Sequence, residues 1–445
     1  MKRLILFLCI VGYISFAVVN AYAVKYDLSI RERYEIWNGY NKKAYGDKSI
    51  NAKGVKIGKS NDHIWLQRII LGVHGHSHLC HYSIHFYDAR VWGWSLNQND
   101  FIKNKGTSDE YVMDPYEEHF ELYDAYLERD NLFGIPLKII FGRQKIYYGD
   151  KRIFGPGTWG NAIGWLWDAI RFSYHPTKND FFDIWYGQTR TKDPDSFSLF
   201  SKHAYQGIGI YSHISTYISA IEPFFAWKNS LFYNNRYREN AYYFGCRLFN
   251  SNLRGFYYDF TIALERGRLI SKYSYDKDIR AYGYAAKLGY TFYHLIFKPR
   301  ILLGRIYASG DNNLSDSVYK TFSTPFGSTD GSHYGRLDLM SWGNMIDNQI
   351  DCYLFPKKYL SVRLALHRFY LANKQDKWVY YGYKFTNNKY NHIGDEFDIV
   401  LRYKFNKNIA LQTFYGYLFA GSFITKNDIA HNNASRWILQ IKYSY

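Results

Sequence analysis

Arginine is the residue around which the chemistry of this chain is arranged. Arg31, Arg33, Arg247, Arg363, Arg402, Lys404 and Arg436 fall on the polar parity of segments whose other parity is apolar, and Asp259, Glu396 and Asp398 share that parity. Arg143, Arg152, Arg171 and Arg305 join the set where the local register is kept. A guanidinium forms forked, charge-assisted bonds to carboxylate or phosphate oxygens. Spread along a wall with acids between them, such groups offer an anion weak and repeated sites instead of one tight site. Each arginine taken singly could equally be one half of an ion pair between neighbouring segments; the set carries more than any member.

Other groupings point less far. His74, His76, His78, His81 and His85 crowd one short stretch, and imidazoles bind zinc or copper. No cysteine or carboxylate completes a recognised metal spacing there, so neither a metal nor any other cofactor is expected. Bond-breaking chemistry needs a nucleophile, a base and a group that orients the base. The nearest pairs, Ser332-His333 and Ser201-Lys202-His203, lie in polar connecting stretches, and the chain is not expected to be an enzyme. Asp311, Asp316 and Asp330 lack the spacing of a calcium loop and read as a polar connection. Cys80, Cys246 and Cys352 are too far apart and too few for a disulfide framework; each sits on an apolar parity as a small hydrophobe.

What positions the arginines is a period of two, which sends alternate side chains to opposite faces of a strand. Phe256, Tyr258, Phe260, Ile262 and Leu264 alternate with Tyr257, Asp259, Thr261 and Glu265. Phe397, Ile399, Leu401, Tyr403 and Phe405 alternate with Glu396, Asp398, Arg402 and Lys404. Near the end, Trp437, Leu439, Ile441, Tyr443 and Tyr445 alternate with Arg436, Gln440, Lys442 and Ser444. Such charges do not belong in a buried sandwich core, whereas a lipid-facing apolar face backed by a wet lumen accounts for both parities. This reading predicts about 18 strands. The first nine lie near 25–37, 63–74, 80–91, 118–127, 136–147, 166–175, 180–190, 205–213 and 217–227. The remainder lie near 238–250, 254–266, 278–291, 297–308, 344–356, 359–372, 393–405, 408–420 and 434–445. Long polar connections (38–62, 93–117, 148–165, 309–343, 373–392) alternate with short ones (76–79, 251–253, 357–358, 406–407) along the chain. Membrane barrels show that alternation, with the short turns in the periplasm. The fold expected is all-β: a transmembrane, antiparallel, up-and-down β-barrel forming one domain over 24–445.

Composition agrees. Aromatics make up 20% of the chain, with 46 Tyr and 32 Phe, as the interfacial girdles of a barrel require. Mean hydropathy is −0.39, and no segment after the first 23 residues approaches the apolar run of a membrane helix. Residues 1–23 read as a signal peptide: Lys2 and Arg3, an apolar stretch, then Ala21-Tyr22-Ala23. The formal net charge of +17, of which Lys2 and Arg3 leave with the signal, suits anions. An exported chain rarely meets nucleic acid. The partners expected are therefore outer-membrane lipid and lipopolysaccharide outside, and an anionic solute within.

Phe141-Gly142-Arg143-Gln144, then Tyr148-Gly149-Asp150-Lys151-Arg152 and Gly155-Pro156, form a distinctive run. So do Tyr307-Ala308-Ser309-Gly310-Asp311 with Thr321-Phe322 and Phe326, and Gly394-Asp395-Glu396-Phe397-Asp398. Together they resemble the alginate export family of outer-membrane porins, from the first strand to the C-terminus. The resemblance implies an 18-stranded barrel whose basic lumen conducts an acidic polysaccharide outward, with periplasmic export components as further partners. Two departures stand out. Gly164-Trp165-Leu166-Trp167 precedes Asp168 where family members usually carry an arginine, and the turn at 406–407 is short where dedicated exporters use a long periplasmic lid. A general anion-preferring porin for small acidic solutes is therefore the alternative, and a surface receptor or adhesin built on the long loops is a third reading. The chain is expected to act as a monomer.

The apolar parity of the last segment ends on Tyr445, which resembles the terminal aromatic by which barrel precursors are recognised for assembly. Deleting residues 443–445 should sharply lower the amount of heat-modifiable, membrane-inserted protein while secretion continues. Undiminished insertion on gels of outer-membrane fractions would remove that role from Tyr445.

Overall fold

The structure, a computed structural model, describes residues 23–445 apart from 109, 158–159, 193, 196, 198–202, 232–236, 314 and 328–330. Residues 1–22, which hold nearly all of the expected signal peptide, and with them Ser201, Lys202 and Asp330, lie outside the described residues. Eighteen long strands are described: β1 (Ala23–Asn38), β2 (Asp62–His76), β3 (His81–Trp92), β4 (Glu118–Arg129), β5 (Leu137–Gln144) and β6 (Trp167–Tyr174). β7 (Phe181–Arg190), β8 (His203–Ser215), β9 (Ala220–Ser230), β10 (Tyr237–Leu253), β11 (Phe256–Ser271) and β12 (Lys277–Thr291) follow. β13 (Arg300–Ala308), β14 (Met345–Lys357), β15 (Leu360–Tyr370), β16 (His392–Lys404), β17 (Ile409–Ala420) and β18 (Ala434–Ser444) complete the wall. Every expected strand is present, with ends displaced by a few residues.

Each of these strands pairs antiparallel with the next, and β18 returns to β1 from Ser29↔Ser444 to Asn38↔Ser435. Closure leaves no edge, so the backbone groups of the wall are bonded within it, as hydrocarbon requires. Among the described residues no helix is long and apolar enough to cross a membrane. The period of two is kept in space. On β11, Phe256, Phe260, Ile262 and Leu264 are exposed on the outer face, while Thr261, Ala263 and Glu265 are buried inside.

The connections at the end opposite the termini are the longer ones: 39–61, 93–117, 145–166, 309–344, 371–391 and 421–433, against 77–80, 254–255, 358–359 and 405–408 at the near end. The expected alternation fails in one place. Between β11 and β12 the far connection is only 272–276, and the near-end turn after it, 292–299, is longer. Strand extension accounts for part of this, since β11 runs on to Ser271 and takes up residues that would otherwise form loop.

The long connections fold inward and pack. Tyr40, Tyr45, Tyr116, Phe154, Trp342, Trp378 and Phe423 are buried inside the wall, and Trp378 makes an edge contact with Tyr381 at 4.9 Å. The 145–166 and 309–344 connections join through the Phe154↔Phe326 bridge, where the Gly155 N–H donates to the Phe326 carbonyl at 2.9 Å. Gly327 permits this approach, because a Cβ there would lie 1.8 Å from the Arg152 carbonyl oxygen. Asn161 fastens the same connection to the wall: its amide donates to the carbonyls of Gln67 (2.8 Å), Arg90 (2.9 Å) and Tyr116 (3.1 Å).

Asn161→Ala removes all three bonds and leaves buried carbonyls unpaired, a loss of about 2–4 kcal/mol at the usual worth of such bonds. The 145–166 connection should then become cleavable by trypsin at Lys151 or Arg152 in otherwise folded barrels. Wild-type resistance in the variant would show that Asn161 does not hold it.

Candidate functional site

The inner face of the wall holds most of the expected cations, and many are already paired. Glu35 on β1 receives Arg436 at 2.7 Å and Arg33 at 3.3 Å; Arg436 also lies 4.1 Å over the Trp37 ring. Arg247 forks onto Asp259 (2.7 and 2.9 Å) and reaches Glu222 at 3.0 Å. Arg363 bonds Asp351 at 2.7 Å through Nε, and Lys287 stands 3.6 Å from the same carboxylate. Arg143 bridges Asp168 (2.8 Å) and Glu121 (3.3 Å), and Arg171 faces Asp183 at 4.0 Å. Arg152 belongs to the 145–166 connection, where it binds Asp150 at 3.1 Å and lies over the Trp342 ring. Arg152 holds the Asp150 carboxyl below its ordinary range, and the charged pair persists across the physiological range.

Two of the expected acids do more than offset charge, and one expected cation lies elsewhere. Glu396 and Asp398 accept the backbone N–H groups of Leu337 (2.9 Å) and Arg336 (3.0 Å), and so anchor the 309–344 connection; His367 stands 3.8 Å from Asp398. Arg305 is corrected outright. It shares its parity with Ile301, Leu303 and Tyr307, is exposed on the outer face, and bonds Asn348 at 2.8 Å. Its long stem lets the head reach past the stacked rings of Tyr282, Tyr284 and Tyr307, so the apolar stripe tolerates one cation.

The remaining cations form a line. Register places Lys442 of β18 opposite Arg31 of β1, and Arg31 opposite Arg68 of β2. Parity turns all three inward. Arg31 donates to the Gly160 carbonyl (2.7 Å) and Asn161 Oδ1 (2.8 Å), and Arg68 to the Asn161 carbonyl (3.2 Å). Below this row Arg402 and Lys404 are exposed at the near end of the lumen. There, Lys298, Lys357, Lys358, Arg402, Lys404 and Lys442 line a cavity of about 1000 Å³ with no carboxylate in its wall. At the far end a smaller cavity of about 310 Å³ sits among the infolded connections.

Sequence reading missed Arg68, and its neighbours explain why. On β2 the inward positions Ile64 and Leu66 are apolar, because infolded connections pack on them, so neither parity looks wet. It also missed Glu118 and Glu121, which both reach Arg190 (3.0 and 3.4 Å). Three positions apart, they share a face only because pairing slips opposite them, near Phe120 with its φ of 34°. The histidines do not gather: His74 and His85 meet at Asp27 (2.5 and 2.9 Å), while His81 faces Asp130 at 3.2 Å. Among the described residues no group of three or more side chains is placed to hold a metal. His333 bonds the Asp150 carbonyl at 2.9 Å. Cys80 packs against Ser77 in the 77–80 turn, not on the outer face.

These placements separate two arginines by experiment. Arg305→Leu should leave ion selectivity unchanged and the barrel folded. Arg363→Leu strips buried Asp351 of its nearest cation and should cost about 3 kcal/mol. Equal effects in heat-modifiability midpoints would contradict the assignment of faces.

Residues 61–437 match the family model described as alginate export. No curated protein matches the sequence. Among solved structures, OccAB2 of Acinetobacter baumannii superposes with a TM-score of 0.58 at 10% identity, over 96% of this chain and 98% of that one. OccD3 of Pseudomonas aeruginosa gives 0.56 at 8% identity, over 96% and 92%. The outer membrane protein OpdK of the same organism gives 0.55 at 10%, over 95% and 98%. At these identities the likeness is one of fold. Sequence match, closed barrel and polar lumen together make this an outer-membrane channel, and the chain belongs to the alginate export family.

Proposed function

We propose that the chain is a passive, anion-preferring channel whose larger substrate is an acidic polysaccharide, passed outward one strand at a time. One observation carries the reading: Lys442, Arg31 and Arg68 stand side by side on three neighbouring strands, all facing the lumen. Like charges directly opposite one another destabilise a sheet. A wall that keeps three in a row gains from them elsewhere, and fixed cations in low-dielectric surroundings concentrate anions. The basic cavity below the row extends the same field toward the periplasm, beside a second near-end cavity of about 720 Å³ where Asp124, Glu128 and Asp183 balance Lys138, Lys145 and Arg171. The paired arginines, Arg33, Arg143, Arg171, Arg247, Arg363 and Arg436, shape the passage and temper its charge. Their acids keep a polymer from binding too tightly to leave.

A second reading, diffusion of small acidic solutes, is favoured by the infolded connections, which leave only about 310 Å³ at the far end. Both readings use the same wall. On either, residues 1–23 act as the export signal and the chain works as a monomer that closes its own barrel. Exposed Lys48, Lys53 and Lys56 of the 39–61 connection would meet anionic lipopolysaccharide.

In a planar bilayer under a salt gradient, the wild type should favour chloride over potassium, and acidic oligosaccharides should block the current far more than neutral ones. Replacing Arg31, Arg68 and Lys442 together by Ser should move the reversal potential toward zero and weaken the block, with conductance retained. A cation-selective wild-type pore, or block indifferent to solute charge, would overturn the reading.

A further inference from the structure

The small far-end cavity lies apart from the wall row and is built differently. Six connections converge on it: 39–61 brings Lys42 and Lys43, 93–117 brings Tyr116, 145–166 brings Gly160, 191–202 brings Lys192, 309–344 brings Asp338 and 371–391 brings Tyr380. Lys42 is bonded to Asp338, and its ammonium lies between 5.7 and 5.9 Å from the ring centres of Trp37, Tyr116 and Tyr380. Lys192 donates to the Asp114 carbonyl at 2.6 Å, and Lys43 stands 4.1 Å over the Phe101 ring. Three ammonium groups thus line the cavity beside aromatic walls; Asp338 is the one carboxylate in its lining, while Asp100, Asp114 and Glu118 act on Lys43 and Lys192 from behind it. The cavity is also coupled to the row. Gly160 lines it and accepts the Arg31 guanidinium, so the backbone of one connection is the shared wall between the two.

Resting on the anionic-solute reading, we propose that this cavity is a recognition site for one carboxylated pyranose unit, whose carboxylate replaces Asp338 on Lys42. Size fits: about 310 Å³ is at the lower end of small-molecule pockets and takes a single sugar ring, not a folded oligomer. Chemistry fits as well. Aromatic faces pack against the C–H faces of a pyranose, and a few placed ammonium groups fix its acid. A neutral sugar brings only hydroxyls, which cannot replace Asp338 on Lys42, whereas a carboxylate forms the stronger charge-assisted bond. The occupant exchanges one carboxylate for another, and it is this exchange that favours an acidic sugar over a neutral one.

The site carries a titration that the arginines of the row lack. Burial pulls the Lys43 ammonium down to about 8, with Lys103 and Lys53 reinforcing the shift and Asp100 and Asp114 opposing it. Burial does the same to Lys192, to about 8, with Arg190 reinforcing and Glu118 and Asp114 opposing. Both ammonium groups are charged at pH 7 and lose charge as the pH rises toward 9, whereas guanidinium stays charged throughout. Binding at this cavity should weaken over that interval.

The test is calorimetric titration of the full chain, folded in detergent, with sodium glucuronate, and with glucose as the neutral control. Glucuronate should bind and glucose should not. Lys43→Gln should weaken binding about tenfold, the worth of one charge-assisted bond. Asp338→Asn should strengthen it by removing the competitor for Lys42, and raising the pH from 7 to 9 should weaken it in the wild type. Affinity unchanged in Lys43→Gln and unchanged at pH 9 would overturn the site. The reversal potential of the same preparation separates the two failures: an anion-selective pore with such unaltered binding removes this cavity alone. A cation-selective pore removes the channel reading and this site with it.

Discussion

Hydrocarbon offers no partner to a backbone N–H or carbonyl, and most of this architecture follows from that refusal. A sheet in a bilayer must bond its last strand to its first, as β18 does to β1 over ten successive partners. Once the wall closes, its two faces have opposite solvents, and the period of two sorts the side chains between them. Apolar side chains such as Ile262 and Leu264 go to lipid; Thr261 and Glu265 go inside. Eighteen strands enclose more room than wall side chains can fill. The interior must therefore be wet or be occupied by something else, and here it is both.

The occupant is the chain's own connections, and the residues that carry the family resemblance are the ones that hold them. Arg152 closes the Tyr148-to-Arg152 run and, with Phe154 two residues on, meets Tyr334 and Phe326 of the 309–344 connection. Ser309 accepts the N–H groups of Phe322 and Asn344 at its carbonyl, which folds that connection back on itself. Glu396 and Asp398 bond its backbone at Leu337 and Arg336. A carboxyl oxygen suits this work, because it accepts an N–H that would otherwise be buried without a partner. The signature thus specifies how the connections enter the barrel more than what passes through it.

Charge within the lumen divides accordingly. Where acids are at hand, as for Arg247 forked onto Asp259 or Arg363 bonded to Asp351, ion pairs stiffen the wall and neutralise it locally. Buried charges left without partners would be costly, so the paired majority is what permits a closely filled interior at all. Where the lumen is open to water, at the near end, unpaired Arg402 and Lys404 can stand exposed, since hydration does the work of a counter-ion. The row of Lys442, Arg31 and Arg68 marks the border between these regimes, touching carbonyl oxygens of the infolded 145–166 connection above and the basic mouth below.

The strands were legible because their signal is local: alternation over a few residues, read without knowing any neighbour, located all eighteen and the faces of Arg31, Arg33, Arg247, Arg363 and Arg402. Where parity is broken locally, the same reading failed. The pairing slip at Phe120 turned Glu118 and Glu121 to one side, and apolar Ile64 and Leu66 hid the inward face of Arg68. Arg305 was misplaced because one cation on an apolar stripe looks like a register shift until its neighbours are seen. The roles of Glu396 and Asp398, and the far-end cavity with Lys42, Lys43 and Lys192, belonged to tertiary structure alone. Those sites join residues from 59 (Leu337 and Glu396) to 296 (Lys42 and Asp338) positions apart, through connections that carry no period. Which carboxylate meets which backbone amide there is decided by how the connections pack inside a closed wall. Sequence by itself determined the wall, because each strand states its own two faces; only the folded interior decided which of its charges face each other and which face water.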